Sequence, residues 1–136
     1  MIILICGLPR AGKTTYSQQY DDDNFIVLHL DNCGGGIRGH LRCNKEAALL
    51  ENVVVEGVYN RAEWRKSLIH SRDDSFKKCI WLDTPIEMKK TRHGYCSYCE
   101  FEFEPPTFDE GWDEITIIRG DKEEHFLNPQ KNLTSS

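Results

Sequence analysis

Five short segments of the chain are apolar at nearly every position, and polar or turn-forming residues separate them. Continuous apolar runs, rather than alternating ones, are typical of strands that a sheet covers on both faces. The pattern therefore predicts five buried β-strands. They span residues 1–6, 25–30, 52–56, 78–82 and 114–118.

Helix-compatible stretches lie between these runs, at residues 13–20, 44–51, 61–71 and 85–93. The last of them has a typical start, with Thr84 as N-cap and Pro85 at the first helical position. Strands that alternate with helices predict an α/β fold, in which helices cover both faces of a five-stranded parallel sheet. Residues 1–127 are expected to form one domain, and residues 128–136 a flexible tail.

Composition excludes several classes of protein. Hydrophobic residues make up 39% and charged residues 29% of the 136 positions, which is typical of a folded soluble domain. The longest apolar run, residues 1–6, is too short for a membrane span or a signal peptide. Cys6 and Cys79 lie in predicted buried strands, where reduced thiols pack well. A reducing, cytoplasmic setting without a membrane partner is therefore expected.

The net charge of −5 is unevenly distributed along the chain. Residues 100–125 contain ten acidic and two basic residues, whereas residues 1–99 are slightly basic. Binding of phosphate depends on local charge rather than on the sum. The total therefore does not exclude a nucleic-acid partner, although it argues against a broad basic binding surface.

A phosphate-binding motif follows the first predicted strand and precedes the first helix. The segment 7–14, GLPRAGKT, matches G-x-x-x-x-G-K-[ST], and its strand–loop–helix context is the one this motif requires. Backbone amides of such a loop bind phosphate oxygens, the lysine reaches the β- and γ-phosphates, and the threonine hydroxyl ligates Mg²⁺. The motif predicts an ATP site with Lys13 as catalytic cation and Thr14 as Mg²⁺ ligand. Its residues are Gly7, Leu8, Pro9, Arg10, Ala11, Gly12, Lys13, Thr14 and Thr15.

Three features favour a small kinase over other P-loop proteins. The chain is too short for the extra subdomains of a motor, and no N-K-x-D motif is present to read guanine. Asp31 and Glu56 follow the second and third strands, whose carboxyl ends meet at the ligand crevice of a parallel sheet. Carboxylates there can accept a proton from an attacking hydroxyl or help to order Mg²⁺.

Four segments resemble the small P-loop kinases of the AAA-type predicted kinase group, which are related to the kinase domain of polynucleotide kinases. They are ICGLPRAGKTTYS, VVVEGVYNRAEWR, IWLDTPIEMKKTRH and FEPPTFDEGWDEITIIRG. The resemblance implies an adenylate-kinase-like fold with a lid at about residues 89–104. It further implies transfer of the ATP γ-phosphate to an acceptor hydroxyl, with Asp31 as general base and Arg92 as lid arginine. The leading acceptor is a polynucleotide 5′-hydroxyl.

Departures from that family concern the P-loop, Glu56 and the acceptor. Arg10 and Ala11 stand where relatives commonly have glycine and serine, and Arg10 could either add charge near the phosphates or point to solvent; Glu56 stands where relatives have aspartate. Six residues, three of them consecutive glycines, separate Asp31 from Arg38, the residue expected to hold the acceptor's phosphate. A kinase for a nucleoside, nucleotide or metabolite, and a nucleotide-binding regulatory module without turnover, are the alternatives.

A third group of residues, His93-x-x-Cys96-x-x-Cys99, has spacing compatible with metal binding. It offers three zinc ligands, whereas structural zinc sites close with four. Two free thiols in a lid loop are the alternative.

Other residues are given structural roles by their context. The aromatic and acidic residues 100–124 are expected to form a structural segment rather than a wall of the acceptor site. Trp64 and Trp81 are expected in the core. His29 is expected to be a packed histidine, and Arg65 to be solvated.

Overall fold

The computed structural model describes residues 1–8, 11–21, 24–34, 36–70, 72, 75–84 and 103–130, and the statements below refer to these residues. The five predicted strands are present as parallel neighbours. The strand order is β2-β3-β1-β4-β5-β6. The strands comprise β1 Ile2–Cys6, β2 Ile26–His29, β3 Val53–Gly57, β4 Lys77–Leu82, β5 Glu114–Arg119 and β6 Lys122–Leu127.

The sixth strand corrects the prediction of a five-stranded, wholly parallel sheet. β6 pairs with β5 in antiparallel orientation, and Arg119 faces Lys122 across a two-residue turn. Gly120 in this turn has φ +62°, a conformation that glycine adopts without strain. Every residue of β6 is exposed, so the strand lacks the apolar run that predicted the other five.

Three helices accompany the sheet: α1 Lys13–Ser17, α2 Gly36–Ala48 and α3 Ala62–His70. A 3₁₀ turn, Gln18–Tyr20, continues α1, so the predicted helix 13–20 is helical throughout in two parts. α2 begins well before the predicted position 44, at the last glycine of the run 34–36. Because glycine has low helix propensity, the sequence pattern did not predict this first turn as helical. The predicted helix 85–93 lies outside the described residues.

Helices cover both faces of the sheet, as predicted. One face of β1, with Ile2, Leu4 and Cys6, packs against buried residues of α2 and α3. The opposite face, with Ile3 and Ile5, packs against side chains of α1 and the following turn. The alternation of β1 between the two faces explains why its sequence is apolar throughout.

The C-terminal quarter is anchored by buried polar residues. Arg65 of α3 is fully buried, so the expectation that it is solvated was wrong. Arg65 binds Glu110, which lies in a 3₁₀ turn, Phe108–Glu110. The Glu110 carboxylate also accepts a hydrogen bond from the indole of Trp112 at 3.0 Å. These contacts assign a structural role to this part of the acidic segment.

Side chains are packed at two predicted boundaries, the end of the lid and the start of the C-terminal tail. Phe103, at the end of the predicted lid, stacks on Trp81 with ring centroids 5.3 Å apart. Asn128, at the start of the predicted tail, is buried and donates a hydrogen bond to the carbonyl of Trp112 at 2.9 Å. Packing therefore continues past residue 127. No helix of the described part of the chain is long and apolar enough to cross a membrane.

Candidate active site

The carboxyl ends of three adjacent parallel strands place several of the predicted site residues at one edge of the sheet. β1 leads into the P-loop, β2 leads to Asp31, and Glu56 lies near the end of β3. The register places His29, Glu56 and Ile5 in one row across β2, β3 and β1. Sequence reasoning expected Asp31 and Glu56 at this edge, and the strand order brings β3 directly beside the P-loop strand.

The two motif glycines meet different backbone requirements. Gly12 precedes α1 with φ 96° and ψ 18°, in the left-handed region that favours glycine. A Cβ on Gly7 would lie 2.8 Å from the carbonyl oxygen of Leu82, at the end of β4. Gly7 therefore lets the loop pass close to the neighbouring strand. The amide of Ala11 donates to the carbonyl of Leu8 at 3.1 Å, which curls the loop.

Lys13 and Thr14 occupy the positions that the motif requires. Lys13 is buried, and its ammonium donates to the carbonyl of Leu8 at 2.9 Å, across the loop. Thr14 and Thr15 are exposed at the start of α1. An ammonium held against the loop and an exposed hydroxyl beside it suit a phosphate group with Mg²⁺, so the described residues fit the phosphates of a nucleotide.

A short hydrogen bond joins Glu56 to His29. Glu56 Oε2 lies 2.6 Å from His29 Nδ1, and Glu56 is 5% exposed. The histidine side chain is 32% exposed, so one side of the ring reaches solvent. When the Glu56 carboxylate is ionised it can only accept hydrogen bonds, and the contact then needs a proton on Nδ1. The prediction of a merely packed histidine missed this contact, since only the register of β2 and β3 brings the two side chains together.

Asp31 is exposed in a 3₁₀ turn, Leu30–Cys33, that follows β2 directly. The turn lies against the end of β3, where a Cβ on Gly57 would come within 2.7 Å of the Leu30 Cβ. Gly57 thus allows the chain that carries Asp31 to fold closely over this strand end. An exposed carboxylate at this position is accessible to an incoming molecule.

Arg38 lies in the first turns of α2 and is exposed, as is Arg42 one turn later. Residues four apart share one face of a helix, so the two guanidinium groups form an exposed basic pair. His40, on the same helix, is half-buried and stacks on Trp64, with ring centroids 4.4 Å apart. No described contact joins Arg38 to the Glu56–His29 pair.

A groove of about 490 Å³ runs between α1 with its following turn and the edge strand β2. Thr14 and His29 both contribute to its lining, so the groove connects the P-loop to the Glu56–His29 pair. Its remaining walls are polar on the helix side and apolar on the strand side. The other lining residues are Ser17, Gln18, Asp21, Phe25, Ile26 and Val27.

Several predicted residues fall on parts of the chain that the structure does not describe. Pro9 and Arg10 of the P-loop are among them, as is the lid arginine Arg92. The zinc candidates His93, Cys96 and Cys99 also lie there. Within the described ranges, no group of three or more histidine, cysteine or acidic residues could hold a metal ion.

Comparison with known proteins identifies the fold. No protein-family model matches the chain, and no curated protein matches it in sequence. The fold is similar to an unliganded sugar kinase from Janibacter sp. HTCC2649, with a TM-score of 0.67 at 13% identity over 98% of this chain and 90% of that one. It is also similar to a structure of the PezAT chromosomal toxin–antitoxin system of Streptococcus pneumoniae. That match has a TM-score of 0.52 at 14% identity over 100% of this chain and 74% of that one.

The chain shares the α/β fold of these two structures. Identities this low establish the architecture alone, because unrelated activities share such folds.

Proposed function

We propose that this chain is a phosphotransferase that moves the γ-phosphate of ATP to an acceptor hydroxyl. The observation that supports this most directly is the groove that Thr14 and His29 share. It brings the P-loop and the polar ends of β2 and β3 to one place. Phosphoryl transfer needs mainly positioning and charge stabilisation, and these groups supply both.

Each proposed role follows from the chemistry of the residue. Backbone amides of the P-loop would hold the ATP phosphates, and Lys13 would stabilise the charge of the transferred group. Thr14 would ligate Mg²⁺, which neutralises phosphate charge when bound. Asp31 would accept the hydroxyl proton as the acceptor oxygen bonds to the γ-phosphorus and the bond to the bridging oxygen breaks, releasing ADP. Arg92 would add positive charge from the lid.

Two classes of acceptor are supported by different features of the molecule. The exposed pair Arg38 and Arg42 favours a polynucleotide end, whose phosphates these guanidinium groups could bind. The groove beside Thr14 favours a small hydroxyl compound. The sugar kinase among the structural neighbours is consistent with the second class as a similarity of fold. A cytoplasmic setting is part of the proposal, and for the lid the two alternatives, a bound zinc ion or free thiols, both stand.

Labelled ATP tests the activity. Purified protein with Mg²⁺ is incubated with γ-labelled ATP and either a 5′-hydroxyl oligonucleotide or a panel of small hydroxyl compounds. Label on either acceptor supports a kinase and assigns its class. ATP binding without any transfer would instead support the nucleotide-binding regulatory module.

Lys13→Ala tests the ATP site itself. Loss of a charge-assisted contact of about 1.5–3 kcal/mol lowers affinity by about 10- to 150-fold, which calorimetry with ATP and Mg²⁺ can measure. Lys45→Ala is the matched control, since Lys45 is an exposed lysine near the end of α2. Failure of the wild-type protein to bind ATP would contradict the proposal.

A further inference from the structure

The groove along β2 is chemically unlike a phosphate-binding surface. Among its described lining residues, Asp21 and His29 carry the titratable side chains. No lysine or arginine is among those described residues, and Glu56 lies behind His29. Within the described part of the chain, a phosphorylated or carboxylated ligand would therefore meet acidic side chains without a lysine or arginine to balance its charge.

The two walls of the groove differ in polarity. Thr14 and Gln18 offer a hydroxyl and an amide group from the helix side, whereas the buried Ser17 hydroxyl donates to the carbonyl of Thr14 at 2.7 Å. The strand side is formed by three apolar residues, Phe25, Ile26 and Val27. The volume falls within the range of small-molecule sites, in which a few polar groups orient a ligand against apolar surface.

His29 offers one further polar atom to this groove. Its Nδ1 is engaged by Glu56, so the remaining ring nitrogen, Nε2, is the atom left to contact a ligand. In the neutral ring that carries its proton on Nδ1, Nε2 is a hydrogen-bond acceptor. A carboxylate that fixes the tautomer and the ring orientation is a common way to prepare a histidine for ligand contact.

We propose that this groove is the acceptor subsite, that it takes a small uncharged polyhydroxy compound, and that His29 binds one of the acceptor hydroxyls through Nε2. This inference rests on the proposed phosphotransferase activity. The groove begins at Thr14, so a compound bound in it lies beside the residue expected to ligate Mg²⁺. Asp31, two residues beyond His29, is exposed near the same strand end.

Paired amide substitutions separate ligand contact from structural support. In His29→Asn the amide nitrogen takes the place of Nδ1, which keeps the contact to Glu56 but removes Nε2. In His29→Gln the amide takes the place of Nε2 and gives up the Glu56 contact. If His29 only supports Glu56, His29→Asn behaves like the wild-type protein.

Binding is measured by ligand-observed saturation-transfer NMR with D-ribose and myo-inositol. Ribose 5-phosphate and myo-inositol 1-phosphate are the charged counterparts, and each titration is run with and without AMP-PNP and Mg²⁺. We expect the neutral compounds to bind more tightly than their phosphates. We also expect His29→Asn to weaken their binding by about 2- to 13-fold, the effect of losing one hydrogen bond, while His29→Gln retains more affinity.

Two neighbouring glutamines provide a matched control. Gln18 lines the groove, whereas Gln19 is an exposed glutamine whose amide donates to the carbonyl of Tyr16 at 2.9 Å. Gln18→Ala is expected to weaken binding of the neutral compounds, and Gln19→Ala to leave it unchanged.

Three results would overturn the subsite: only the phosphorylated compounds bind, neither neutral compound binds, or His29→Asn binds them like the wild-type protein. These results do not depend on turnover.

If ATP fails to bind while the neutral compounds do, the proposed activity is wrong and the groove remains a binding site for neutral compounds. If ATP binds and label passes only to an oligonucleotide, the activity stands and the acceptor subsite fails.

Discussion

Arg65 and Glu110 form a two-pronged ion pair in the interior of the domain. Nε lies 2.7 Å from Oε1 and Nη2 lies 2.9 Å from Oε2, and neither side chain is more than 2% exposed. The same guanidinium donates to the carbonyl of Tyr59 at 2.7 Å. Burial lowers the pKa of Arg65, but the hydrogen bonds and charge of Glu110 outweigh it, so the net pKa is raised. The pair ties α3 to the segment before β5.

Removing one partner of this pair is expected to destabilise the fold strongly. Arg65→Ala and Glu110→Ala should each lower the free energy of unfolding by about 3–5 kcal/mol, because each leaves a buried charge without its partner. Urea unfolding measures the effect. Arg61→Ala, at an exposed arginine one turn earlier, is the control and should change stability little.

A double substitution tests whether the unpaired buried charge causes this loss of stability. Arg65→Met with Glu110→Leu removes both charges and should recover much of the stability that either single change loses. Equal or greater loss in the double variant would show that the hydrogen bonds to Tyr59 and Trp112, rather than the unpaired charge, dominate.

Asp31→Asn is expected to stop phosphate transfer while leaving ATP binding nearly intact. A general base contributes about 10²- to 10⁴-fold to rate, and the amide cannot accept the proton. Transfer of label and calorimetric ATP affinity are measured on the same preparation. Asp109→Asn, at an exposed aspartate outside the described site, serves as control. Unchanged transfer by Asp31→Asn would remove Asp31 from the proposed role.

Alanine at two glycines should have opposite effects on stability. The Cβ of Gly7→Ala would meet the Leu82 carbonyl oxygen at 2.8 Å, so the loop must shift, at a cost of about 1–3 kcal/mol and with weaker ATP binding. The Cβ of Gly39→Ala would meet its nearest atom, the backbone carbon of Gly34, at 3.4 Å. Because Gly39 lies inside α2, alanine there should stabilise by about 0.5–1 kcal/mol. Thermal unfolding and ATP titration measure both variants.

His40 should make stability depend on pH. Burial lowers the pKa of His40 below its ordinary value of 6.5, so the folded state favours the neutral ring. The unfolded chain therefore binds the proton more readily, and the free energy of unfolding falls as the pH decreases from about 6.5 through the lowered pKa. His40→Phe preserves an aromatic ring against Trp64 and should flatten this part of the profile, measured by urea unfolding between pH 5 and 7.5.

The exposed His70 provides the comparison. His70→Asn, at an exposed histidine at the end of α3, is the control variant and is expected to keep the wild-type pH profile. Identical profiles for His40→Phe and the wild-type protein would contradict the role of His40.

Zinc content tests the ligand group His93, Cys96 and Cys99. If the lid binds zinc, elemental analysis should find about one ion per chain, and Cys96→Ser should abolish it. Less than about a tenth of an ion in the wild-type protein would end the zinc hypothesis in favour of free thiols.

Much of the fold could be predicted because its signals are local. Strands β1 to β5 are apolar along their length, since both faces of a parallel sheet are covered, and this pattern is visible without any knowledge of neighbours. The P-loop is equally local, because one continuous segment supplies its glycines, Lys13 and Thr14. The beginning of α2 was missed, since Gly36 and Gly39 weaken the helical pattern there.

Features that join distant parts of the chain could not be predicted in this way. β6 is exposed at every position and exists because β5 offers an unpaired edge beyond a tight turn at Gly120. Arg65 and Glu110 are both ordinary surface residues by composition, and only the packing of α3 against the C-terminal segment buries them. His29 meets Glu56 only through the pairing of β2 with β3.

The sequence by itself therefore determined the alternation of strands with helices, the parallel pairing of five strands and the phosphate-binding loop, because short-range polarity and spacing encode them. Tertiary structure alone decided which side chains surround that loop. The groove, the Glu56–His29 pair and the buried Arg65–Glu110 pair depend on the register and packing of segments that lie far apart along the chain, and no local pattern records those distances.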